Sequence, residues 1–267
     1  MPATVQILSD LHLEAPPTYD DFEVVPKAPY LGLLGDIGTI EKHKDECLKF
    51  LTAQLKQFRA VLFVPGNHEA YHSDWPTTLE ILRNFEHDVA RDESLGDFVL
   101  LDRAVFRLDE NTAILGCSLF SHVPPERYSI VRRSLNDFYQ TRDWNVALHN
   151  EAHERDLAWL NQQVAALDEA GVNMIILSHW SPSTDSRAVE PRHAGSDIAT
   201  AFSTDLSGEV CFQSARVKAW AFGHTHYNCD FEAQRGDGVA PLRILTNQRG
   251  YTFATAEGFD EEKTVAC

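Results

Sequence analysis

Residues 220–228, WAFGHTHYN, decide how this chain reads: an apolar run breaks at Gly223, and two histidines, His224 and His226, follow one residue apart. In an extended backbone residues i and i+2 project to the same side, so both imidazoles can enter one pocket. Such a pair suits a metal ion. Taken alone it fits equally well a solvated loop turning at Gly223, because short histidine motifs often match by chance. The remainder of the chain decides between the two.

Including the run that leads into it, KAWAFGH (218–224), the chain has six apolar runs of this kind, the others being TVQILSD (4–10), YLGLLGD (30–36), AVLFVPGN (60–67), TAILGCS (112–118) and NMIILSH (173–179). Their length and aliphatic content predict buried strands. The segment 41–58 carries Cys47, Leu48, Leu51 and Leu55 at helical spacing, and 151–171 carries Leu157, Leu160, Val164 and Leu167 before a terminating Gly171. The alternation predicts an α/β domain. Five of the runs finish on a group that can bind metal or move a proton: Asp10 and His12, Asp36, Asn67 and His68, His179, and His224 with His226. Ligands of open α/β sheets bind outside the carboxyl ends of the strands, so these groups are expected to converge on one crevice.

The expected inner shell is two carboxylates, one amide oxygen and four imidazoles: Asp10, Asp36, Asn67, His12, His179, His224 and His226. An oxygen and nitrogen set without sulfur suits Mn, Fe or Zn. Seven donors exceed what one ion takes, so two ions with a bridging carboxylate are expected. Two metals about 3.5–4 Å apart clamp a phosphoryl group and acidify a bridging water, which attacks as hydroxide. The leaving oxygen then needs a proton, and His68, next to Asn67, is the expected general acid.

The ordered motifs D-x-H (10–12), GD (35–36), GNHE (66–69), SH (178–179) and GHTH (223–226) resemble those of the calcineurin-like metallophosphoesterase superfamily. The resemblance implies a four-layer α-β-β-α sandwich, with Asp10, His12, Asp36 and His226 holding one metal and Asp36, Asn67, His179 and His224 the other. Asp36 would bridge, and His68 would lie beside the scissile phosphate. The Ser/Thr protein phosphatase branch carries G-D-x-x-D-R-G, whereas here Thr39 and Ile40 stand at the second acid and the arginine. That departure argues against a protein phosphatase and leaves open which acid orients His68. The motif set is closer to the small phosphoesterases of microbes and fungi. Within the same fold, a non-catalytic scaffold and a nuclease acting on short oligonucleotides are the alternatives.

Composition narrows the partners. A net charge of −17 repels polyanions, so long nucleic acid and anionic membranes are not expected; it excludes little about small molecules, and the small phosphate ester is what the resemblance implies. Five scattered cysteines without a C-x-x-C pair, namely Cys47, Cys117, Cys211, Cys229 and Cys267, predict reduced thiols. No apolar run approaches the roughly 20 residues of a membrane span. The opening MPATVQILSD resembles no signal peptide, so a cytoplasmic protein is expected.

One domain is expected over 1–256, with an inserted loop or cap at about 121–145, followed by an acidic, frayed tail over 257–267. Within the cap, Asn136, Asp137 and Arg142 are expected to contact substrate, the plainer alternative being a surface loop. His72, Trp180 and Arg249 are further candidates, against the alternatives of a loop histidine, a packing indole and a structural salt bridge. His149 and His153 lie four apart among charged neighbours, which predicts a solvated or rim-facing helix rather than a zinc pair.

Overall fold

A computed structural model describes residues 4–266. The strands are β1 (Thr4–Leu8), β2 (Tyr30–Leu33), β3 (Ala60–Phe63), β4 (Asp97–Leu100), β5 (Ala104–Arg107), β6 (Thr112–Cys117), β7 (Asn173–Ser178), β8 (Val217–Phe222), β9 (Asp230–Ala233), β10 (Leu242–Thr246), β11 (Gly250–Tyr251), β12 (Ala254–Thr255) and β13 (Thr264–Ala266). The helices are α1 (Lys44–Leu55), α2 (Trp75–Val89), α3 (Tyr128–Ser134), α4 (Asp137–Gln140), α5 (Val146–Glu169) and α6 (Val210–Gln213). One sheet has the order β13-β1-β2-β3-β4 and the other β5-β6-β7-β8-β10-β9, while β11 and β12 form a separate ribbon.

Residue alternation explains why two sheets stack. In β2 and β3, Leu31, Leu33, Val61 and Phe63 pack outward against Cys47, Leu51 and Leu55 of α1 and Leu82 of α2. Ile7 and Leu62 face inward and meet Ile175 and Leu177 of β7 and Ala219 and Ala221 of β8. Met174, Ile176 and Trp220 point the other way, against Leu160 and Val164 of α5 and Phe212 of α6. Each strand is therefore apolar on both faces, which is why the runs read as continuous. The result is the expected α-β-β-α sandwich.

Within each sheet the central strands are parallel: β1, β2 and β3 in one, and β6, β7, β8 and β10 in the other. Parallel strands release their carboxyl ends on one edge. There the sheets are tied together, since His179 Nδ1 donates to Leu34 O at 2.7 Å and Ser118 Oγ to Pro65 O at 2.6 Å.

Two expectations fail. The acidic tail is not frayed over its described part: β13 pairs antiparallel with β1, and Val265 is buried. Gln6 Nε2 donates to Glu261 O at 2.7 Å, so the acidic residues hang from a polar side chain on β1. Val265→Asp is expected to cost about 3 kcal/mol, the penalty of an unpaired charge in a dry site. An unchanged urea midpoint would refute the pairing. Cys267 lies outside the described residues; Cys47, Cys117, Cys211 and Cys229 are free thiols.

The solvated helix face expected for His149 and His153 is also absent. Both are buried, and the stripe that holds them grips the loop after β6. His149 Nε2 accepts from Ser121 N–H at 3.2 Å and His153 Nδ1 donates to Leu119 O at 3.0 Å. Asn150 accepts from Val123 N–H at 3.0 Å, and Asp156 from Leu119 N–H at 2.9 Å. A loop leaving a buried strand has backbone groups to satisfy, and this polar stripe supplies the partners.

The segment 121–145, expected as an inserted loop or cap, folds as α3, α4 and their flanks. Val123, Val131, Leu135 and Val146 form a small core with Ala201, joined by Phe138, Ile198 and Phe202. It thus packs against a second segment, residues 186–203, that the sequence did not single out.

Candidate metal centre

The seven expected donors come together at the carboxyl edge. His12 Nε2 lies 2.9 Å from His226 Nε2, and His226 Nε2 lies 3.2 Å from Asp10 Oδ1. On the other side His179 Nε2 lies 3.1 Å from Asn67 Oδ1 and 3.4 Å from Asp36 Oδ1. Asp36 Oδ2 faces the first group, 4.0 Å from His12 Nε2. Three sets have donor atoms close enough to share an ion: Asp10, His12 and His226; His12, Asp36 and His68; and Asp36, His179 and His224.

The backbone reaches this geometry at a cost. Asp10, His12, Asp36, His224 and His226 all have φ between 46° and 68°, in the left-handed region that residues with a Cβ avoid. Strain of this kind collects at functional sites. Close approach also demands glycine: a Cβ on Gly66 would lie 2.4 Å from Asp36 Oδ1, and one on Gly223 would lie 2.1 Å from Ser9 Oγ.

The donors fit cations on the evidence of what they lack. Asp10 and Asp36 are buried, and among the described residues neither pairs with Lys or Arg. Buried charges without such partners coordinate metals. His224 Nε2 is buried with no hydrogen-bond partner. The Nδ1–H of His179 is committed to Leu34 O, which leaves Nε2 as the ring nitrogen facing the site. Asn67 donates its amide N–H to Tyr71 Oη at 3.1 Å and Asp137 Oδ1 at 3.0 Å, which turns its carbonyl oxygen to the site.

His68 lines the same cavity, and the acid missing from its expected surroundings is Glu14. Glu14 Oε1 accepts from His68 Nδ1 at 2.8 Å and lies 3.3 Å from His12 Nδ1. Burial pushes Glu14 toward neutrality, but its hydrogen bonds to His12 and His68 outweigh it and hold the carboxyl at about 2. Burial likewise opposes a charged His68, yet Asp36 and Glu14 lift it to about 9. Tyr251 Oη sits 3.3 Å from His68 Nε2, and its ring stacks on His12 with centroids 4.1 Å apart. Two signals pointed to these residues: Glu14 ends the alternation Asp10-x-His12-x-Glu14, and Tyr251 follows the glycine of QRGY. Glu69 of GNHE is structural, accepting from the N–H groups of Asp36 at 2.9 Å, Ile37 at 2.8 Å and Gly66 at 2.7 Å.

The candidate substrate contacts divide. Asn136 and Asp137 line the cavity. Trp180 is buried behind it, with its ring stacked on Phe120 at 4.5 Å and Nε1 donating to Ala201 O at 3.1 Å. The other three are elsewhere: Arg142 pairs with Asp74 at 2.7 Å, and exposed His72 donates its backbone N–H to Gln140 O at 2.7 Å. Arg249 donates to Leu11 O at 3.2 Å and lies over the Phe22 ring, so it holds a loop rather than a phosphate.

The family described as calcineurin-like phosphoesterase matches residues 3–228. An uncharacterized protein of Acanthamoeba polyphaga mimivirus is 26% identical over 280 residues, covering 93% of this chain and 91% of that one. Among solved structures, a phosphopantetheinyl hydrolase from Mycobacterium tuberculosis superposes with a TM-score of 0.65 at 16% identity, covering 94% of this chain and 90% of that one. A dimetal phosphatase from Danio rerio gives a TM-score of 0.57 at 16% identity, with 97% and 91% covered. At these identities the solved structures speak for the fold, and the family match speaks for the chemistry: the chain belongs to the calcineurin-like phosphoesterase family and is a phosphate-ester hydrolase.

Proposed function

We propose that this enzyme hydrolyses a small phosphate ester at a dinuclear centre of Mn, Fe or Zn. Asp10, His12, Asp36 and His226 would hold one ion, and Asp36, Asn67, His179 and His224 the other. The observation that carries the proposal is the convergence of seven donors from five strand ends, with His224 Nε2 buried and unpartnered among them. Bound there, the ions supply a water acidic enough to attack phosphorus and neutralise charge on the phosphoryl oxygens.

The chain's own residues do the rest. Tyr71 and Asp137 fix the Asn67 amide, and Leu34 O fixes the His179 tautomer. His68 faces the cavity and gives its proton to the leaving oxygen. Glu14 is a positioning residue: it accepts from Nδ1, so that Nε2 is the nitrogen turned to the substrate. A scaffold role gains nothing from this geometry, because every donor position and His68 are filled. The absence of any helix among the described residues long and apolar enough to cross a membrane, and the free thiols, support a cytoplasmic location.

The test is turnover of para-nitrophenyl phosphate esters by manganese-loaded protein, with a chelated control. Metal-dependent release of nitrophenolate is expected; a rate indifferent to chelation would end the proposal. On esters with an alkyl leaving group, which needs the His68 proton, Glu14→Gln is expected to lower kcat about 10–100-fold, the usual cost of an outer partner of a metal-site histidine. Unchanged kcat with intact metal binding would remove Glu14 from the mechanism.

A further inference from the structure

The space in front of the metal donors is a cavity of about 360 Å³, at the small end of the ~300–1,000 Å³ range of small-molecule sites. Away from Asp36, Asn67 and His224 its character changes. Its apolar lining is Leu135, Val189, Ile198, Ala199 and Phe202. Leu135, Ile198 and Phe202 belong to the cap core, so the walls are supported from behind and the channel is built before anything enters it.

Away from the metal donors and His68, the lining offers a second negative charge no free Arg or Lys. Among the described lining residues, Arg192 is the only Arg or Lys. Its Nε lies 2.6 Å from Glu190 Oε2, and His193 Nε2 lies 3.4 Å from the same oxygen. Glu190 thus occupies the Arg192 guanidinium and borders the His193 ring. Deeper in, Asp137 is buried, and its Oδ2 has no hydrogen-bond partner. A monoester brings two negative charges and a single arm. A diester brings one charge and a second arm to fill an apolar channel.

The position of that channel says which arm it takes. The Phe202 ring stacks on His224 with centroids 5.0 Å apart, whereas His68 stacks on Tyr71 and borders Glu14 and Tyr251. His68 is thus flanked by Tyr71, Glu14 and Tyr251, which assigns it the leaving arm and leaves the apolar lining to the retained one. We propose, resting on the hydrolase reading above, that the substrate is a phosphodiester whose retained arm is apolar and lies along Leu135, Val189, Ile198 and Phe202. Water adds to phosphorus, the P–O bond to the leaving arm breaks, and that oxygen takes its proton from His68. The products are an alcohol and a phosphomonoester that keeps the apolar arm.

The test holds the leaving group constant. Manganese-loaded protein is given para-nitrophenyl phosphate and the methyl, butyl and hexyl para-nitrophenyl phosphodiesters. We expect every diester to exceed the monoester in kcat/KM, with a rise of about threefold per added methylene until the channel fills. Ile198→Ser and Val189→Ser should each shrink the hexyl-to-methyl ratio. A faster monoester, or a flat diester series, overturns the proposal while leaving the hydrolase reading intact. Calorimetry gives a readout free of turnover: hexyl methyl phosphate should bind at least tenfold tighter than dimethyl phosphate. Silence on every ester would defeat the hydrolase reading instead, and equal affinities in the calorimeter would then defeat the apolar arm as well.

Discussion

Asp36→Asn is expected to strip metal from the protein and to lower kcat/KM by about 10³-fold or more, a loss of ~4 kcal/mol of transition-state stabilisation. The size follows from position. Asp36 Oδ2 faces the His12 side at 4.0 Å while Oδ1 faces His179 at 3.4 Å, so one carboxylate addresses both halves of the centre. Burial works against its charge, but His179 and His68 outweigh it and hold Asp36 well below the usual carboxylate range. An amide there removes the charge and puts an N–H where a cation has to sit. The fold should survive, because the side chain's other task is to accept the His68 backbone N–H at 2.8 Å, which an amide oxygen also does. Metal content by atomic emission, read beside the thermal midpoint, checks it. Full metal and wild-type turnover in a folded variant would rule out the dinuclear assignment.

His68→Ala separates proton transfer from metal binding. Among esters with alkyl leaving groups it should lose about 10²–10⁴-fold in kcat, the usual contribution of general acid catalysis. With para-nitrophenyl esters the loss should be much smaller, because nitrophenolate departs without a proton. Metal content should match wild type. The alternative is concrete, since His68 Nε2 lies 3.9 Å from Asp36 Oδ2 and His12, Asp36 and His68 could themselves share an ion. If the variant loses metal, and loses rate equally on both classes of ester, His68 is a ligand and not the acid.

Several features of the chain were legible as text. Burial on both faces makes a parallel strand a continuous apolar run, so β1, β2, β3, β6, β7 and β8 could be read directly. Each run stops at a small or polar residue, and for all but β6 the chemistry lies at or just beyond that stop. α2 was overlooked although Asp74 and Pro76 mark its start, with Asp74 Oδ1 accepting from Thr77 N–H at 2.8 Å. The edge strands β4, β5, β9 and β13 were missed because they are short, and several of their residues stay partly exposed.

What the sequence by itself determined was the alternation of strands and helices, from its periods, and the family resemblance, from the order of its motifs, which in turn implied the sandwich. Tertiary structure alone decided which side chains share a space. Glu14 meets His68 across 54 positions, and Asp137 meets Asn67 across 70. Likewise, the cavity wall at 188–203 carries no period, because it is a succession of single turns, each closed by its own short-range hydrogen bonds, with Ile198, Ala201 and Phe202 packed in the core of residues 123–146. Arg142, Arg249, His149 and His153 show the same limit from the other direction. A polar residue looks alike in the text whether it faces a substrate or a backbone carbonyl, and only the folded chain brings one of those partners within the ~3 Å that a hydrogen bond spans.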